Sequence, residues 1–154
     1  RADQMRFHAF DSFEGLPSSE GDFVEGDMSY GEATFLRFIQ KAGVDTNRVT
    51  RTKGFFDTSL SPGRADELLI APGRAHVVHI DCDLYTSTVP VLSFLKPLLG
   101  PGSVIVFDDW FSFEEMEKPW QHGEQKAFQE WDIRDRFDPI AVTYPWNAAF
   151  MLRR

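Results

Sequence analysis

The segment between residues 75 and 109 places the strongest constraint on the fold. Residues 75–80 (AHVVHI) and 103–107 (SVIVF) are short, continuous apolar runs, and an apolar segment over residues 86–99 lies between them. Gly100-Pro101-Gly102 ends this middle segment, which is predicted to be a helix. Continuous apolar strands, in contrast to alternating ones, are typical of parallel sheets that are covered on both faces. The pattern therefore predicts a strand, helix, strand unit of an α/β fold.

The flanking regions carry weaker signals of the same fold. A compact apolar run predicts a strand over residues 6–10, and residues 14–29 have the glycine, proline and serine content of a surface loop. Ser29 and Glu32 form a capping-box pattern that predicts a helix up to Gly43. The remaining predicted elements are a strand over 48–53, a brief helix over 65–70, a helix over 123–135 and antiparallel hairpin strands over 138–144 and 148–153.

Composition excludes several classes of protein. The 154 residues carry a formal net charge of -8 without a basic run, which argues against nucleic acid as the main partner. Apolar residues make up 42%, enough for the core of a single domain over residues 1–154. No apolar stretch approaches the roughly 18 residues of a membrane span. Cys82 is the only cysteine, so no intramolecular disulfide can form, and we expect a cytoplasmic location.

Acidic residues follow three of the predicted strands. Asp11 ends the first strand, Asp81 and Asp83 follow the strand before the central helix, and Asp108 and Asp109 follow the strand after it. Ligands of open parallel sheets bind beyond the carboxyl ends of the strands. If the strands over 75–80 and 103–107 are neighbours, four carboxylates meet at their ends, and a divalent cation would relieve the repulsion between them. Oxygen ligands without a cysteine thiolate or paired histidines favour Mg²⁺, Mn²⁺ or Ca²⁺ over zinc.

The same residues allow other interpretations. Asp81 is also well placed to cap the following helix and Asp109 to cap a turn, since aspartate commonly does both. A haloacid-dehalogenase-type phosphatase would use Asp81 as nucleophile and Asp83 as acid/base, and a DxD glycosyltransferase is a weaker alternative. A module that keeps the carboxylates for binding alone is the non-enzyme alternative. Four aromatic side chains would either line a substrate pocket or pack in the core: Trp110, Phe111, Phe113 and Trp120.

Four motifs in a fixed order point to a known family. They are FDSFEGLP (10–17), GFFDTSL (54–60), DCDLYTST (81–88) and VFDDW (106–110). The chain resembles the macrocin-type (TylF) O-methyltransferases of antibiotic biosynthesis, which are metal-dependent class I methyltransferases that use S-adenosylmethionine. The resemblance implies a Rossmann-like α/β sheet, mostly parallel with a C-terminal antiparallel hairpin, and methyl transfer to a hydroxyl of a small molecule of the sugar or natural-product type.

The resemblance also implies roles for the acidic residues after the two apolar strands. Asp81, Asp108 and Asp109 match the ligands of the family's divalent cation, which would be Mg²⁺ or Mn²⁺. Asp83 would lie beside the acceptor hydroxyl and act as the general base that takes its proton.

The cofactor side of the resemblance is less complete. Asp11 matches the acidic residue that accepts hydrogen bonds from the ribose hydroxyls of S-adenosylmethionine, and Ser12 would lie against the adenosine. Family members also have a first strand and a glycine-rich turn, and neither is present in this sequence. We expect an N-terminally truncated domain, or else a first strand that is replaced by rearrangement or by a partner chain. In the family strand order 3-2-1-4-5-7-6, loss of strand 1 would separate the strands over 6–10 and 48–53 from the rest. The bare edges would invite pairing with another chain, which allows for a homo-oligomer.

Overall fold

Strands and helices alternate along most of the chain, as the sequence predicts for an α/β fold. The structure is a computed structural model that describes residues 5–70 and 74–154. In chain order its elements are β1 (Phe7–Asp11), α1 (Glu32–Lys41), β2 (Val49–Lys53), α2 (Phe56–Ser59), α3 (Pro62–Ile70), β3 (Val77–Ile80), α4 (Tyr85–Leu95), β4 (Val104–Phe107), α5 (Gly123–Glu130), β5 (Phe137–Thr143) and β6 (Asn147–Leu152).

The apolar strand, helix, strand segment folds as its pattern predicts. Strands β3 and β4 pair in parallel, with Val77 opposite Val104 and Ile80 opposite Phe107, and α4 connects them. Ile80, Ile105 and Phe107 are at most 1% exposed and lie on one face of the pair. Val77 on the opposite face is 66% exposed, so one face is buried and the expected cover on both faces is not found in the described residues. The carboxyl ends of both strands therefore lie at the same edge of the sheet.

The C-terminal strands form the predicted antiparallel hairpin. Strand β6 pairs with both β4 and β5 in antiparallel fashion, so the larger sheet has the order β3-β4-β6-β5. Phe107 lies opposite Ala148, which is 1% exposed. The start of β6 therefore lies next to the end of β4, close to the acidic residues that follow it.

The first two strands form a sheet of their own. Strands β1 and β2 pair in parallel from Phe7 opposite Val49 to Asp11 opposite Lys53. Within residues 5–70 and 74–154 no strand pairing joins this sheet to the larger one. The strands predicted over 6–10 and 48–53 are thus separate from the other strands of the described residues, as the sequence predicts.

The predicted capping box of α1 is wrong. The helix begins at Glu32 with Gly31 as its N-cap, and no side chain caps it. The Gly31 carbonyl accepts the first helical hydrogen bond, from the N–H of Thr34 at 2.8 Å, which leaves Ser29 two residues outside the cap position. The Glu32 carboxylate instead forms an ion pair at 2.7 Å with Arg51 of β2. A contact between elements has therefore replaced the local cap.

Other helix boundaries also differ from the predictions. Helix α4 ends at Leu95 and passes into a short 3-10 turn that contains Pro97. Helix α5 ends at Glu130, five residues early, because Trp131 adopts an extended backbone and packs its ring 5.4 Å from that of Phe137. The predicted loop between β2 and α3 contains the one-turn helix α2. The end of α4 thus coincides with a proline in the local sequence, whereas the end of α5 coincides with packing of Trp131 against a ring of β5.

Aromatic side chains fill the core between the larger sheet and α5. The Phe107 ring lies 5.1 Å from Trp110 and 5.2 Å from Phe128, measured between centroids. Trp110 therefore packs in the core, and Phe113 is also buried, with its ring 5.5 Å from that of Phe23. Trp120 remains half exposed, at 50%. No helix of the described chain is long and apolar enough to cross a membrane.

Candidate metal centre and active site

Three aspartates converge where β3 and β4 end. Asp81 follows β3 directly, and Asp108 and Asp109 follow β4. The Asp108 N–H donates to the Ile80 carbonyl at 3.0 Å, which continues the parallel ladder one step past the strand ends. One carboxylate oxygen from each aspartate lies within 4.8 Å of the other two. We call these three residues the aspartate edge; the structure brings them together as the sequence predicts.

The surroundings of the aspartate edge disfavour ionisation of Asp81 and of the neighbouring Asp83. Burial raises the pKa of Asp81, and the negative charges of Asp109 and Asp108 raise it further. Burial raises the pKa of Asp83 to about 7, with further contributions from the charge of Asp109 and a hydrogen bond to its carboxyl group. A divalent cation would favour the ionised form of these carboxyl groups, and an all-oxygen donor set suits Mg²⁺ or Mn²⁺. The residues present therefore fit the metal that the resemblance implies.

Asp83 lies in the tight connection between β3 and α4. Its φ of 58° is in the left-handed region, which is uncommon for a residue with a side chain. The following residue, Leu84, is fully buried, and its carbonyl accepts a hydrogen bond from Thr88 at 2.8 Å. This packing holds the turn in place, so the buried Asp83 carboxyl remains beside Asp109.

Polar neighbours fix the orientation of two of the three metal-binding candidates. Asn147, at the start of β6, donates a hydrogen bond to Oδ1 of Asp108, and His79 Nε2 lies 3.5 Å from the same oxygen. The Ser112 hydroxyl donates to Oδ1 of Asp109 at 2.7 Å. Such neighbours commonly orient the ligands of a metal centre. The sequence analysis did not identify Asn147 or Ser112.

A buried glutamate also lies behind the aspartate edge, and the sequence analysis missed it. Glu124 in the first turn of α5 is fully buried and accepts hydrogen bonds from the backbone N–H groups of Cys82 and Asp109. The apolar face of α5 contains residues three, four and seven positions later. Helical periodicity extended by one turn therefore places a carboxylate on the buried face, and that mismatch is the signal that could have identified it.

The predicted cofactor residues lie in the smaller sheet. Asp11 ends β1, and one of its carboxylate oxygens accepts a hydrogen bond from the N–H of Phe13. The Ser12 hydroxyl accepts from Glu14 N–H and donates to the Gly15 carbonyl, both at 3.0 Å. Both side chains therefore shape the turn that follows β1, as Asp and Ser commonly do. They are not part of the aspartate edge.

A second glutamate, in the loop after β1, forms hydrogen bonds to the starts of two helices. Glu20 accepts hydrogen bonds from the N–H groups of Tyr85 at 2.8 Å and Gly123 at 3.0 Å, at the first residues of α4 and α5. A carboxylate at helix N-termini is favoured by the partial positive charge there. Glu20 thus connects the β1–α1 loop to the two helices that flank the aspartate edge.

The sequence matches a family of enzymes over nearly all of its length. The match is to the macrocin O-methyltransferase (TylF) family and covers residues 2–143. The chain belongs to this family. A relative from Streptomyces olivaceus, 8-demethyl-8-(2,3-dimethoxy-alpha-L-rhamnosyl)-tetracenomycin-C 4'-O-methyltransferase, is 32% identical, and the alignment covers 65% of this chain and 40% of the relative. The resemblance drawn from the four motifs is confirmed, and the phosphatase and glycosyltransferase alternatives lose their support.

Solved methyltransferase structures share the fold. The O-methyltransferase NovP superposes with a TM-score of 0.70 at 20% identity, over 98% of this chain and 61% of NovP. The calicheamicin methyltransferase CalS11 gives 0.69 at 22% identity, over 95% of this chain and 60% of CalS11. MycE, in a complex with Mg, SAH and mycinamycin VI, gives 0.55 at 14% identity, over 99% of this chain and 46% of MycE.

These likenesses confirm the predicted class I methyltransferase fold. The chain spans between 40% and 61% of the length of these four relatives.

Proposed function

We propose that the chain forms the metal-binding and acceptor-binding part of an S-adenosylmethionine-dependent O-methyltransferase that methylates a hydroxyl of a small molecule. The observation that carries the proposal is the aspartate edge, in which oxygens of three carboxylates lie within 4.8 Å of one another. The named relative acts on a rhamnosyl-tetracenomycin, and MycE binds mycinamycin VI. These names support an acceptor of the sugar or natural-product type.

The aspartate edge would hold the cation. Asp81, Asp108 and Asp109 offer only oxygen atoms, which suits Mg²⁺ or Mn²⁺, and the MycE complex contains Mg. When bound, a divalent cation lowers the pKa of a hydroxyl and holds it in place. Asn147 and Ser112 would keep the Asp108 and Asp109 carboxylates oriented toward the cation.

Asp83 would act as the general base. It is 6% exposed, directly follows the strand end that carries Asp81 and contacts the Asp109 carboxyl. Its carboxylate would take the proton of the acceptor hydroxyl while the oxygen bonds to the methyl carbon and the bond from that carbon to sulfur breaks. Seclusion from water strengthens the interactions that orient this carboxyl group.

The cofactor would bind on the side of the smaller sheet. Asp11 and Ser12, in the turn after β1, remain the predicted contacts of the ribose and the adenosine. Glu20 would keep the loop that follows them against the starts of α4 and α5. S-adenosylhomocysteine in the MycE complex supports S-adenosylmethionine as the methyl donor.

Calorimetric titration of Mn²⁺ into the full chain tests the metal centre. We expect binding by the wild type and none that is measurable in Asp108→Ala, with far-ultraviolet circular dichroism unchanged. Asp138→Ala, which removes an exposed aspartate of β5, is the matched control and should bind as the wild type does. Unchanged Mn²⁺ affinity in Asp108→Ala would rule out the assigned site.

A second titration separates an enzyme from a binding module. S-adenosylhomocysteine is added to the full chain in the presence of Mg²⁺, and the proposed function requires a saturable heat of binding. Asp11→Ala should weaken this binding, because the ribose loses its acceptor. Metal binding without any binding of S-adenosylhomocysteine would favour a module that retains the carboxylates without the cofactor site.

A further inference from the structure

The surroundings of Glu124 differ from those of an ordinary surface glutamate. Its side chain is fully buried at the start of α5, where Ala127 and Phe128 of the same helix pack into the core. Oε1 accepts the N–H of Cys82 at 3.1 Å, and Oε2 accepts the N–H of Asp109 at 3.2 Å. Each carboxylate oxygen therefore has a backbone partner, and the two partners belong to different strand ends.

These two contacts lie directly behind the metal-binding candidates. Cys82 follows Asp81 in the chain, and the second N–H is that of Asp109 itself. The parallel ladder of β3 and β4 extends to the bond from Asp108 N–H to the Ile80 carbonyl. Beyond it, the Glu124 carboxylate bridges the two chain segments in place of a ladder bond. It thereby fixes the separation of the backbones that carry Asp81 and Asp109.

The start of α5 is built to bring Glu124 this close. Gly123 has a φ of +52°, and a Cβ added to it would lie 2.3 Å from Cε2 of Phe113 and 2.8 Å from the Asp83 carbonyl oxygen. A side chain at this position would therefore require the helix start or the ring to move. Glycine permits both the left-handed backbone and the close approach.

We propose that Glu124 is a positioning residue that sets the spacing of Asp81 and Asp109 for the divalent cation. The inference rests on the proposed metal centre and adds to it a residue that would not touch the cation. It acts through two backbone groups, and each of its oxygens accepts one of them. Burial raises the pKa of this carboxyl group well above its usual range, although both backbone bonds favour the ionised form. Glutamine fills the same volume but offers one carbonyl oxygen and an NH₂ group, which cannot accept the second N–H.

The first test is Mn²⁺ calorimetry on Glu124→Gln in the full chain. We expect an affinity about 10- to 100-fold weaker than that of the wild type, the range typical for loss of a group behind a metal ligand. Amide hydrogen exchange should accelerate at Cys82 or Asp109, a change that loss of charge alone would not produce. Glu130→Gln, an exposed substitution on the same helix whose amide oxygen can still accept the Tyr85 hydroxyl, should retain wild-type Mn²⁺ affinity.

A second variant changes the position of Glu124 without changing its side chain. It also tests the proposal if Glu124→Gln does not fold. Gly123→Ala retains the Glu124 carboxylate but strains the start of α5, because alanine disfavours the left-handed backbone and its Cβ would lie 2.8 Å from the Asp83 carbonyl oxygen. We therefore expect Mn²⁺ affinity to fall about 10-fold, and wild-type affinity in Gly123→Ala would overturn positioning. Wild-type affinity in a folded Glu124→Gln would also overturn it. If the wild type itself binds no Mn²⁺, the proposed metal centre fails together with this inference.

Discussion

The aspartates that follow β3 and β4 differ from the aspartate that ends β1, although the sequence presents them alike. Asp11 accepts a backbone N–H from its own turn, two residues later. At the aspartate edge, the carboxylates face one another across two neighbouring strands, and burial, followed by the charges of Asp109 and Asp108, raises the pKa of Asp81. A lone aspartate after a strand is thus satisfied locally, whereas aspartates on adjacent strands retain a charge that a cation can balance.

The largest expected difference between the two regions is in the response to Mg²⁺. At about 100 times its dissociation constant, the cation should stabilise the wild type by about 2.7 kcal/mol and raise its melting temperature by about 5 to 10 °C. Asp109→Asn should lose most of this shift because a neutral amide replaces a charged ligand, while Asp11→Asn should keep it. Thermal unfolding with Mg²⁺ and with a chelator measures both. Equal shifts in the two variants would remove the distinction between the regions.

The second expected difference is in the pH dependence of the metal-free chain. Asp83 has an ordinary pKa of 3.8 when unfolded and a raised pKa of about 7 when folded, so the folded chain binds this proton more tightly. Its contribution to stability is therefore fully present below about pH 4 and is lost as the pH rises through about 7. Asp83→Asn should reduce this decline. We expect a smaller effect than that of Mg²⁺, because Asp81 and Asp109 still repel each other in the variant.

Melting temperatures between pH 4 and pH 8 in the presence of a chelator measure this decline. Asp11→Asn is the control, since it leaves the aspartate edge unchanged and should follow the wild-type curve. A wild-type curve that is parallel to that of Asp83→Asn would contradict the prediction.

The smallest expected effect is that of the turn after β1. Asp11→Ala removes the acceptor of the Phe13 N–H and should lower the free energy of unfolding by about 1 kcal/mol, measured by urea titration. Asp11→Asn retains an acceptor oxygen, so its free energy of unfolding should fall by less.

At the aspartate edge the metal-free chain should behave in the opposite way. The free energy of unfolding of Asp108→Asn should equal or exceed that of the wild type, because the substitution relieves the repulsion between carboxylates. A destabilised Asp108→Asn would show that the aspartate edge is satisfied without a cation.

The central part of this fold could be predicted from local sequence because its signals are local. The apolar runs that became β3 and β4 predicted a parallel pair, and parallel pairing alone brings Asp81 to Asp108 and Asp109. The hairpin of β5 and β6 was also predicted, with boundaries one residue from those observed. To predict which aspartates meet, it was enough to know where each one lies along its own strand.

The remainder depends on contacts between distant parts of the chain. Glu124 bonds to Cys82, which is 42 residues away, and Glu20 bonds to Gly123, which is 103 residues away. The capping box failed for the same reason, since Glu32 pairs with Arg51 of β2. A carboxylate whose partner is a backbone N–H on another element leaves no mark in the sequence other than its place on an apolar face.

Cys82 has a practical consequence of a different kind. The chain contains one thiol, which lies between Asp81 and Asp83 and is 6% exposed. Burial, and then the charge of Glu124, raise the pKa of this thiol well above its usual range, so the reactive thiolate is scarce in the closed structure. A thiol-directed label should therefore attach slowly to the folded chain. The rate at which the chain gains the mass of one label would report how often local unfolding exposes Cys82.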